Sequence, residues 1–450
     1  MKYAIFFLAL FAMPPLGVVL SFNRRWMKYA IWGMIGALAV YQGTAINFYS
    51  YEEYRGSSRG MEVSIVYLLS FALLVAAAIK RRLPKLIPSF GAFLYIVYFF
   101  LCLPSYGAAE NTLFSWMETW KMIMIYLVYL SVRAYLDMSA GTKELVKGLA
   151  GFAIFNFLLV VKDHLSGVYQ PHGVFPHQNG LAMAMHLFAN MFFALFLLGG
   201  WRSWLNVVAF VAAAACIVRT YSRGALAMIP LSFFVTFVLS LVAAPRGRKL
   251  GMIGRTTPIA LIGLVGLGLM LPRIIERFTE APAESKNTRI ELALCAQEMM
   301  SDEPWRGVGI NNWGIKINPP YEYAERAGRK RTRGADFKDG IVETVYLLVG
   351  AECGIPALVM MILWFLSYLV LSVILVKRLA GIHEAAIPAG LAGGFVALYL
   401  QSCLEWTLRM QMNLILLFMF YALLDHLNAN RRRLVAESKS HTGGADNASS

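Results

Sequence analysis

The residues best suited to chemistry are single charges beside long apolar runs. Glu343 stands where the polar stretch "DFKDG" gives way to an apolar one, and Arg223 interrupts the apolar runs 204–218 and 225–243. Charged side chains near membrane depth are costly and are usually functional. A carboxylate at such a boundary can take a proton from a hydroxyl group. We therefore predict that Glu343 acts as a base and that Arg223 binds an anion.

Arg289 is a second candidate for anion binding. The stretch "NTRIELALCAQEMMSDEP" predicts a helix that Thr288 or Asn287 caps and that Pro304 ends, which places Arg289 in its first turn. A cation at a helix N-terminus opposes the helix dipole, whereas a bound phosphate would meet both the dipole and the guanidinium. The alternative is a surface arginine paired with Glu284 or Glu291.

Three further sets of polar residues are candidates for substrate binding. Arg219 lies one turn before the "SRG" block and is either a second cation or a structural partner. His177 and Asn179, in "PHQNG", could contact a sugar or cap a helix. Arg55 and Arg59, in "YRGSSRG", could bind an anionic headgroup or pair with local glutamates.

Two other readings concern the acidic residues. For Glu343 the structural alternative is a salt bridge to a loop cation such as Lys338. We interpret Glu352 as a structural carboxylate before the "CGIP" break.

The chain has no P-loop, HExxH or GxSxG motif and no clustered metal ligands. We therefore predict no metal and no cofactor, and we exclude an ATP-driven pump and a metalloprotease.

Composition predicts an all-α polytopic membrane protein. Of 450 residues, 58% are hydrophobic and 15% are charged, against about 25% charged in soluble proteins. Repeated apolar runs of about 20 residues fit transmembrane helices, and the first run lacks the small-residue cleavage site of a signal peptide. The net charge of +15 lies largely in short loops, so that topology and contact with membrane lipids explain it better than nucleic acid does.

The apolar runs predict about 12 spans, with both termini inside and a break in the first run at "AMPPLGVV". The runs are 3–20, 28–46, 61–79, 88–105, 113–133, 147–161, 179–199, 204–219, 225–243, 256–272, 354–376, 385–402 and 412–427. Lys/Arg-rich loops predict the cytoplasmic face, and the outer face then carries 49–60, 162–180, 220–225, 404–411 and one long loop.

The chain is accordingly divided into four parts. We predict N-terminal transmembrane helices in 1–272, a large periplasmic loop with short helices in 273–342, C-terminal transmembrane helices in 343–428 and a disordered cytoplasmic tail in 429–450. Outer-face arginines beside one carboxylate indicate the handling of a diphosphate. Positive charge would stabilise a leaving diphosphate, and a base would deprotonate an attacking hydroxyl.

Four blocks give the chain a resemblance to the O-antigen ligase superfamily. They are "GVFPHQNGLA", "TYSRGALAM", "NTRIELALCAQEMMSDEPWRGVGINNW" and "VETVYLLVGAECGIPAL". Within the superfamily the chain is most similar to the O-glycosylation ligases associated with exosortase systems, and "RGSSRGMEV" fits that subgroup too. The superfamily includes O-antigen polymerases and O-oligosaccharyltransferases.

The resemblance implies a GT-C-type glycosyltransferase of the bacterial inner membrane. Such an enzyme moves a glycan from undecaprenyl diphosphate to an acceptor hydroxyl at the periplasmic face, with inversion and without a metal. Arg223 and Arg289 would bind the diphosphate, and Glu343 stands where the superfamily usually has histidine. The acceptor, a protein, lipid or polysaccharide, stays open, and the alternatives are a polymerase and a transporter or flippase of lipid-linked sugar.

Overall fold

The computed structural model describes residues 2–139, 141–199, 203–257, 261, 268, 271–272, 275, 283–329 and 340–446. The chain divides into two compact units. The first comprises 1–144, 280–367 and 399–419, and the second comprises 145–279, 368–398 and 420–450. The protein is 78% helical, which confirms an all-α class.

The helices and strands follow one another along the chain. They are α1 (Lys2–Phe22), α2 (Arg24–Ala37), α3 (Tyr41–Thr44), β1 (Ile46–Ser50), β2 (Gly60–Val63), α4 (Ile65–Ile79), α5 (Phe90–Cys102), α6 (Thr112–Ser139), α7 (Lys143–Leu165), α8 (Gln178–Gly199), α9 (Trp204–Arg219), α10 (Arg223–Ala243), α11 (Ala283–Asp302), α12 (Trp313–Lys316), α13 (Tyr323–Arg326), α14 (Val345–Arg378), α15 (Ala386–Gln401) and α16 (Gln411–Asp446). The longest helices, α14 and α16, contribute to both units.

Within the described residues, eight helices are long and apolar enough to cross a membrane. They are α1, α5 with the 3₁₀ turn after it, α6, α7, α8, α10, α14 and α16. Two shorter apolar helices, α4 and α9, coincide with predicted spans. The predicted span 256–272 lies mostly outside the described residues. The chain is therefore a polytopic helical membrane protein by helix length and composition.

The N-terminus differs from the prediction in one respect. Pro14 and Pro15 lie inside a continuous α1, so the first apolar run is not broken. The hydroxyl of Tyr3 donates to the carbonyl of Asn47 at 3.4 Å, which places the start of α1 beside β1. The prediction that both termini lie inside stays a prediction.

A small antiparallel hairpin joins α3 to α4, and the sequence did not predict it. Strands β1 and β2 pair Ile46 with Val63 and Ser50 with Gly60, with an irregularity between these pairs. Its connecting loop, 51–59, folds back over the end of α6 and meets the segment 308–313. The paired strands of the hairpin therefore fix both ends of the loop.

The long outer loop carries its own hydrophobic core in the first unit. Four residues on one side of α11 are buried: Leu292, Cys295, Ala296 and Met299. Their spacing of three and four residues gives a helix one apolar stripe. The stripe packs with Trp313 and the start of α14, so the described part of the loop is a folded element.

Helix α14 has a sharp break at Gly354. Its φ of 84° lies in the left-handed region, and a Cβ there would meet the carbonyl oxygen of Trp305 at 2.5 Å. Only glycine suits both conditions. Outer-loop backbone covers the break, since Ile355 N–H donates to the Pro304 carbonyl and Gly309 N–H to the Glu352 carbonyl. The long span therefore begins at the "CGIP" break, close to the predicted start at 354.

Helix α8 is the centre of the second unit, where it packs against α9 and α10. A hydrogen bond within the unit joins α8 to α10: the Thr236 hydroxyl donates to Asn190 Oδ1 at 2.7 Å. The predicted outer segments 162–180 and 220–225 meet through Gln170 and the Thr220 carbonyl. The last helix, α16, continues to Asp446, where the sequence indicates a disordered tail; the division into four parts stays a prediction.

Candidate functional site

Arg289, Glu343 and Glu405 form an ion cluster in the first unit, which we call the boundary cluster. Arg289 Nη2 forms an ion pair with Glu343 Oε2 and lies 3.9 Å from Glu405 Oε1. The side chains of Arg289 and Glu343 are each 36% exposed, whereas that of Glu405 is 8% exposed. The structure thus brings together two of the predicted catalytic residues and adds one that the sequence did not single out.

The elements that position the boundary cluster differ in part from the prediction. Helix α11 begins at Ala283, so Arg289 lies in its second turn and not at its N-terminus. The argument that a phosphate at Arg289 would meet the helix dipole is therefore wrong, because the effect fades within the first turn. Glu343 lies two residues before α14, whose first amide, of Val345, donates to the Ser402 carbonyl.

The structural alternative for Glu343, a salt bridge to a cation of the outer loop, is observed, with Arg289 as the cation. The partner of Glu343 within the described residues is Arg289; Lys338 lies outside them. Taken by themselves, the three residues carry two carboxylates and one guanidinium, a formal charge of −1. Arg289 Nε is buried and lacks a hydrogen-bond partner in the described structure. The cluster therefore brings two carboxylates to one guanidinium, which keeps one unused donor.

A second ion cluster is buried close to the outer loop, and we call it the buried ion network. Arg409 Nη1 contacts Glu352 Oε2 at 2.6 Å, and its Nη2 contacts Glu118 Oε1 at 2.9 Å. Lys121 Nζ binds Glu118 Oε2 at 2.7 Å and the Arg409 carbonyl at 2.9 Å. Burial alone would lower the pKa of Arg409, but Glu118 and Glu352 raise it well above its ordinary value. The four residues are balanced, with two charges of each sign.

The buried ion network holds two outer loops in place. Ser57 and Ser58 hydroxyls donate to Glu118 Oε2 at 2.8 and 2.5 Å. The Trp313 amide donates to Glu352 Oε1 at 3.3 Å. The structural reading of Glu352 fits these contacts. Glu118 could have been noticed in the sequence, since it lies with a lysine three residues later inside a predicted span.

A cavity of about 30 Å³ lies beside the buried ion network. Its wall includes Glu118 and Arg409 together with the rings of Tyr95, Trp364 and Phe418. A space of this size accommodates about one or two water molecules. It is too small for a sugar, so it is not a glycan site.

In the second unit Arg223 begins α10, directly after the N-cap residue Ser222. Arg223 is half-buried and forms no ion pair or hydrogen bond with any described residue. Ser222 is 4% exposed, and its Oγ lacks a partner within the same residues. A helix N-terminus with an uncompensated guanidinium suits an anion. An anion bound here would therefore meet both the helix dipole and a guanidinium, as was predicted for Arg289.

Arg219, by contrast, is engaged by its neighbours. It contacts His164 Nδ1, donates to the Tyr221 hydroxyl at 3.3 Å and lies over the Tyr221 ring. Tyr169 stacks on that ring with centroids 5.6 Å apart. These contacts fit the structural alternative for Arg219, and its role in substrate binding stays a prediction.

His177 and Asn179 lie at the start of α8. The Asn179 amide donates to His177 Nδ1 at 3.2 Å, and the His177 carbonyl accepts from Gly180. Burial lowers the pKa of His177, and nearby His172 lowers it further. A neutral His177 therefore caps the helix, in line with the structural alternative; contact of either residue with a sugar stays a prediction.

Arg55 and Arg59 flank the loop that the buried ion network holds. Both side chains are on the exposed surface of the first unit. Within the described part of the chain neither forms an ion pair, so the predicted pairing with local glutamates is not observed there. Their role in binding is taken up below.

Comparison with known proteins identifies one family. The model of the O-antigen ligase family matches residues 208–362, about a third of the chain. The matched range includes Arg223, Arg289 and Glu343. No curated protein matches the chain. The matched region is similar to the O-antigen ligase family, in line with the resemblance of the sequence blocks to that superfamily.

Proposed function

We propose that the protein transfers a glycan from undecaprenyl diphosphate to an acceptor hydroxyl, with inversion and without a metal. The observation that carries the proposal is the ion pair between Arg289 and Glu343 within the range of the family match. A carboxylate beside a guanidinium supplies the two functions that the reaction needs. One accepts a proton, and the other stabilises a leaving anion.

In the proposed reaction the acceptor oxygen attacks the anomeric carbon while the bond from that carbon to the diphosphate oxygen breaks. The acceptor proton passes to Glu343, and the bonding electrons leave with the diphosphate. Protonation removes the charge of Glu343 and so releases Arg289 from its ion pair. Arg289 then gains a favourable interaction with the diphosphate as negative charge develops on it. Such an interaction accelerates the reaction because it is stronger in the transition state than in the ground state.

Arg223 is proposed to bind a phosphate group of the donor before transfer. Its support is electrostatic: it lies at the start of α10 and, within the described residues, has no carboxylate partner. A guanidinium presents parallel N–H donors that match phosphate oxygens. Arg223 is therefore assigned to ground-state binding, and Arg289 to the transition state.

The finer features of the architecture are part of the same proposal. We propose about 12 spans, a GT-C-like arrangement and an inner-membrane location with the active site facing the periplasm. Eight helices of spanning length and two shorter apolar helices within the described residues support ten of these spans. Membership of the subgroup associated with exosortase systems is proposed from the sequence blocks.

The test is glycan transfer by purified protein from a defined polyprenyl-diphosphate donor to candidate protein, lipid and polysaccharide acceptors. Arg289→Ala should reduce the maximal rate of transfer by about 10²–10³-fold, as the loss of one charge-stabilising donor does in other enzymes. Arg223→Ala should mainly raise the donor concentration that gives half the maximal rate, and so reduce transfer at low donor concentration. The membrane levels of both variants should stay normal. The matched control is Arg306→Gln, because this outer-loop arginine is paired bidentately with Glu303. Full activity of both alanine variants would contradict the assignment.

The same assay separates the alternatives. A polymerase would join two lipid-linked repeats and lengthen the donor, whereas a ligase would move the glycan to a different acceptor. A transporter would carry the donor across proteoliposomes without breaking the glycosyl–phosphate bond. Transport with no transfer to any acceptor would overturn the proposed function.

A further inference from the structure

The loop from Arg55 to Arg59 has an unusual distribution of charge. Its two arginines are four residues apart and exposed, and neither forms an ion pair among the described residues. Glu52 and Glu53 precede Arg55 in the connecting loop, yet neither forms an ion pair with the two arginines among the described residues. Burial lowers the pKa of Arg59, and the charge of Arg55 lowers it further. The loop therefore holds like charges near each other at an electrostatic cost.

The backbone between the two arginines is fixed by buried partners. Ser57 and Ser58 donate to one carboxylate oxygen of Glu118. The Ser58 amide donates to Asn311 Oδ1 at 3.1 Å, and Asn311 Nδ2 donates to the Ser58 carbonyl at 2.9 Å. At Gly56 a Cβ would lie 2.4 Å from Asn311 Oδ1, so no other residue fits without a shift. A fixed backbone limits the freedom that the arginines would lose on binding.

The structural role of the loop does not require its arginines. The contacts that fix it come from serine hydroxyls, a backbone amide and a backbone carbonyl. Neither guanidinium makes a hydrogen bond within the described structure. An anion bound between the two cations would stabilise both, because it would offset their mutual repulsion. Guanidinium groups suit phosphate oxygens in particular, because their N–H donors match the geometry.

We propose that Arg55 and Arg59 form a binding site for a phosphate-bearing group on the fixed loop of the first unit. Two sources share this chemistry: the diphosphate of a lipid-linked donor and the headgroup of an anionic phospholipid. Only the first source rests on the proposed function. Binding is measured directly and does not depend on glycan transfer.

The test is titration of the purified full-length protein with inorganic diphosphate by calorimetry, in a neutral detergent. The background is Arg223→Ala with Arg289→Ala, which removes the two donor-binding arginines of the proposed function. Adding Arg55→Gln and Arg59→Gln should weaken the remaining binding by at least about tenfold, since a hydrogen bond to a charged group contributes on that scale. Unchanged binding would overturn the site.

Two further variants separate a charge effect from a positional one. The pair Arg55→Lys and Arg59→Lys keeps the charge but not the fork of donors, so we expect weakened, not abolished, binding. The pair Ser57→Ala and Ser58→Ala keeps both arginines and releases the loop, and it should weaken binding less than loss of the arginines does. Wild-type affinity of the serine variant would contradict the role of the fixed backbone. Arg306→Gln is the control for loss of one outer-loop charge.

The source is identified in nanodiscs. If phosphatidylglycerol weakens diphosphate binding relative to phosphatidylcholine, and does so only when Arg55 and Arg59 are present, the site takes a lipid headgroup. Equal binding in both lipids, still dependent on the two arginines, assigns it to the donor diphosphate. Binding that ignores the two arginines in both lipids overturns the proposal. Failure of the proposed function would appear in the transfer assay and would leave these results unchanged.

Discussion

The boundary cluster and the buried ion network are both built from glutamate and arginine, yet they differ in burial and in charge balance. The network pairs two carboxylates with two cations, and its four residues are at most 5% exposed. The boundary cluster has two carboxylates for one guanidinium, and its central ion pair is 36% exposed on both sides. Buried charges stabilise a particular arrangement of loops, whereas the accessible ion pair of Arg289 and Glu343 can exchange a proton or contact a ligand.

The comparison assigns structure to one cluster and chemistry to the other. Breaking a buried ion pair leaves a charge with no solvent to stabilise it, which is strongly destabilising. Breaking a partly exposed pair such as that of Arg289 and Glu343 costs less, because water can replace part of the lost contact. The two clusters should therefore respond oppositely: variants of the network should lose the fold, and variants of the boundary cluster should lose activity while remaining folded.

The largest expected effect is that of Arg409→Met. Removal of the guanidinium leaves Glu118 and Glu352 buried without their shared cation. We expect a loss of about 3–5 kcal/mol in the free energy of unfolding. The melting temperature of the detergent-solubilised protein, followed by fluorescence-detected size-exclusion chromatography, measures it.

The control for Arg409→Met is the double variant that also carries Glu352→Gln. It removes one uncompensated carboxylate, so it should be less destabilised than the sum of the two single variants. A variant Arg409→Met that melts like the wild type but has no transfer activity would reverse the comparison. That outcome would assign the catalytic role to the buried ion network.

The next effect is that of Glu343→Gln on the transfer rate. Glutamine keeps the size and hydrogen bonding of the side chain but cannot accept the proton. We expect the rate to fall by about 10²–10⁴-fold, with a change in stability below about 1 kcal/mol. The pH profile of the remaining activity should lose the limb that reports the base. A wild-type rate across the pH range would make Glu343 a structural residue.

A charge exchange at the ion pair distinguishes a structural from a catalytic role more sharply. The double variant Arg289→Glu with Glu343→Arg restores an ion pair, with the carboxylate now at position 289 and the guanidinium at position 343. If the pair only joins α11 to the start of α14, both stability and activity should return. We expect the melting temperature to return to within a few degrees, while transfer stays lost, because the base and the cation have changed places. Restored transfer would contradict the assigned roles.

Much of the fold was predictable because local sequence determines it. The apolar runs identify the described helices, and the break before "GIP" marks where the long span of α14 begins. Glu343 was also recognisable, since a single carboxylate at an apolar boundary is visible without a structure. The contact of Tyr3 with β1 was not predictable, because the two lie 44 residues apart along the chain.

The buried ion network and the partner of Glu343 required the structure. Arg409 meets Lys121 across 288 residues, and no local pattern indicates that pairing. Glu118 and Lys121 did carry a signal, since two charges inside a predicted span need partners. The start of α11 was predicted several residues too late, because Thr288 resembles an N-cap although the helix already begins at Ala283. The fold was thus read from local patterns, whereas the pairing of distant charges was not.

The smallest expected effect belongs to Glu303 and Arg306, an exposed pair that provides the reference for both clusters. The hydrogen bonds from Arg306 lower the pKa of Glu303, whose side chain is 33% exposed. Because the folded pKa is the lower one, the pair stabilises the fold above the unfolded value of about 4.3 and loses its effect as pH falls through the folded value. We expect Glu303→Gln to match the wild-type melting temperature closely at neutral pH. Below about pH 4.5 its melting temperature should fall slightly less with pH than that of the wild type.

A large loss of stability at neutral pH would show that exposed outer-loop pairs are structural after all. The stability argument that separates the boundary cluster from the buried ion network would then fail.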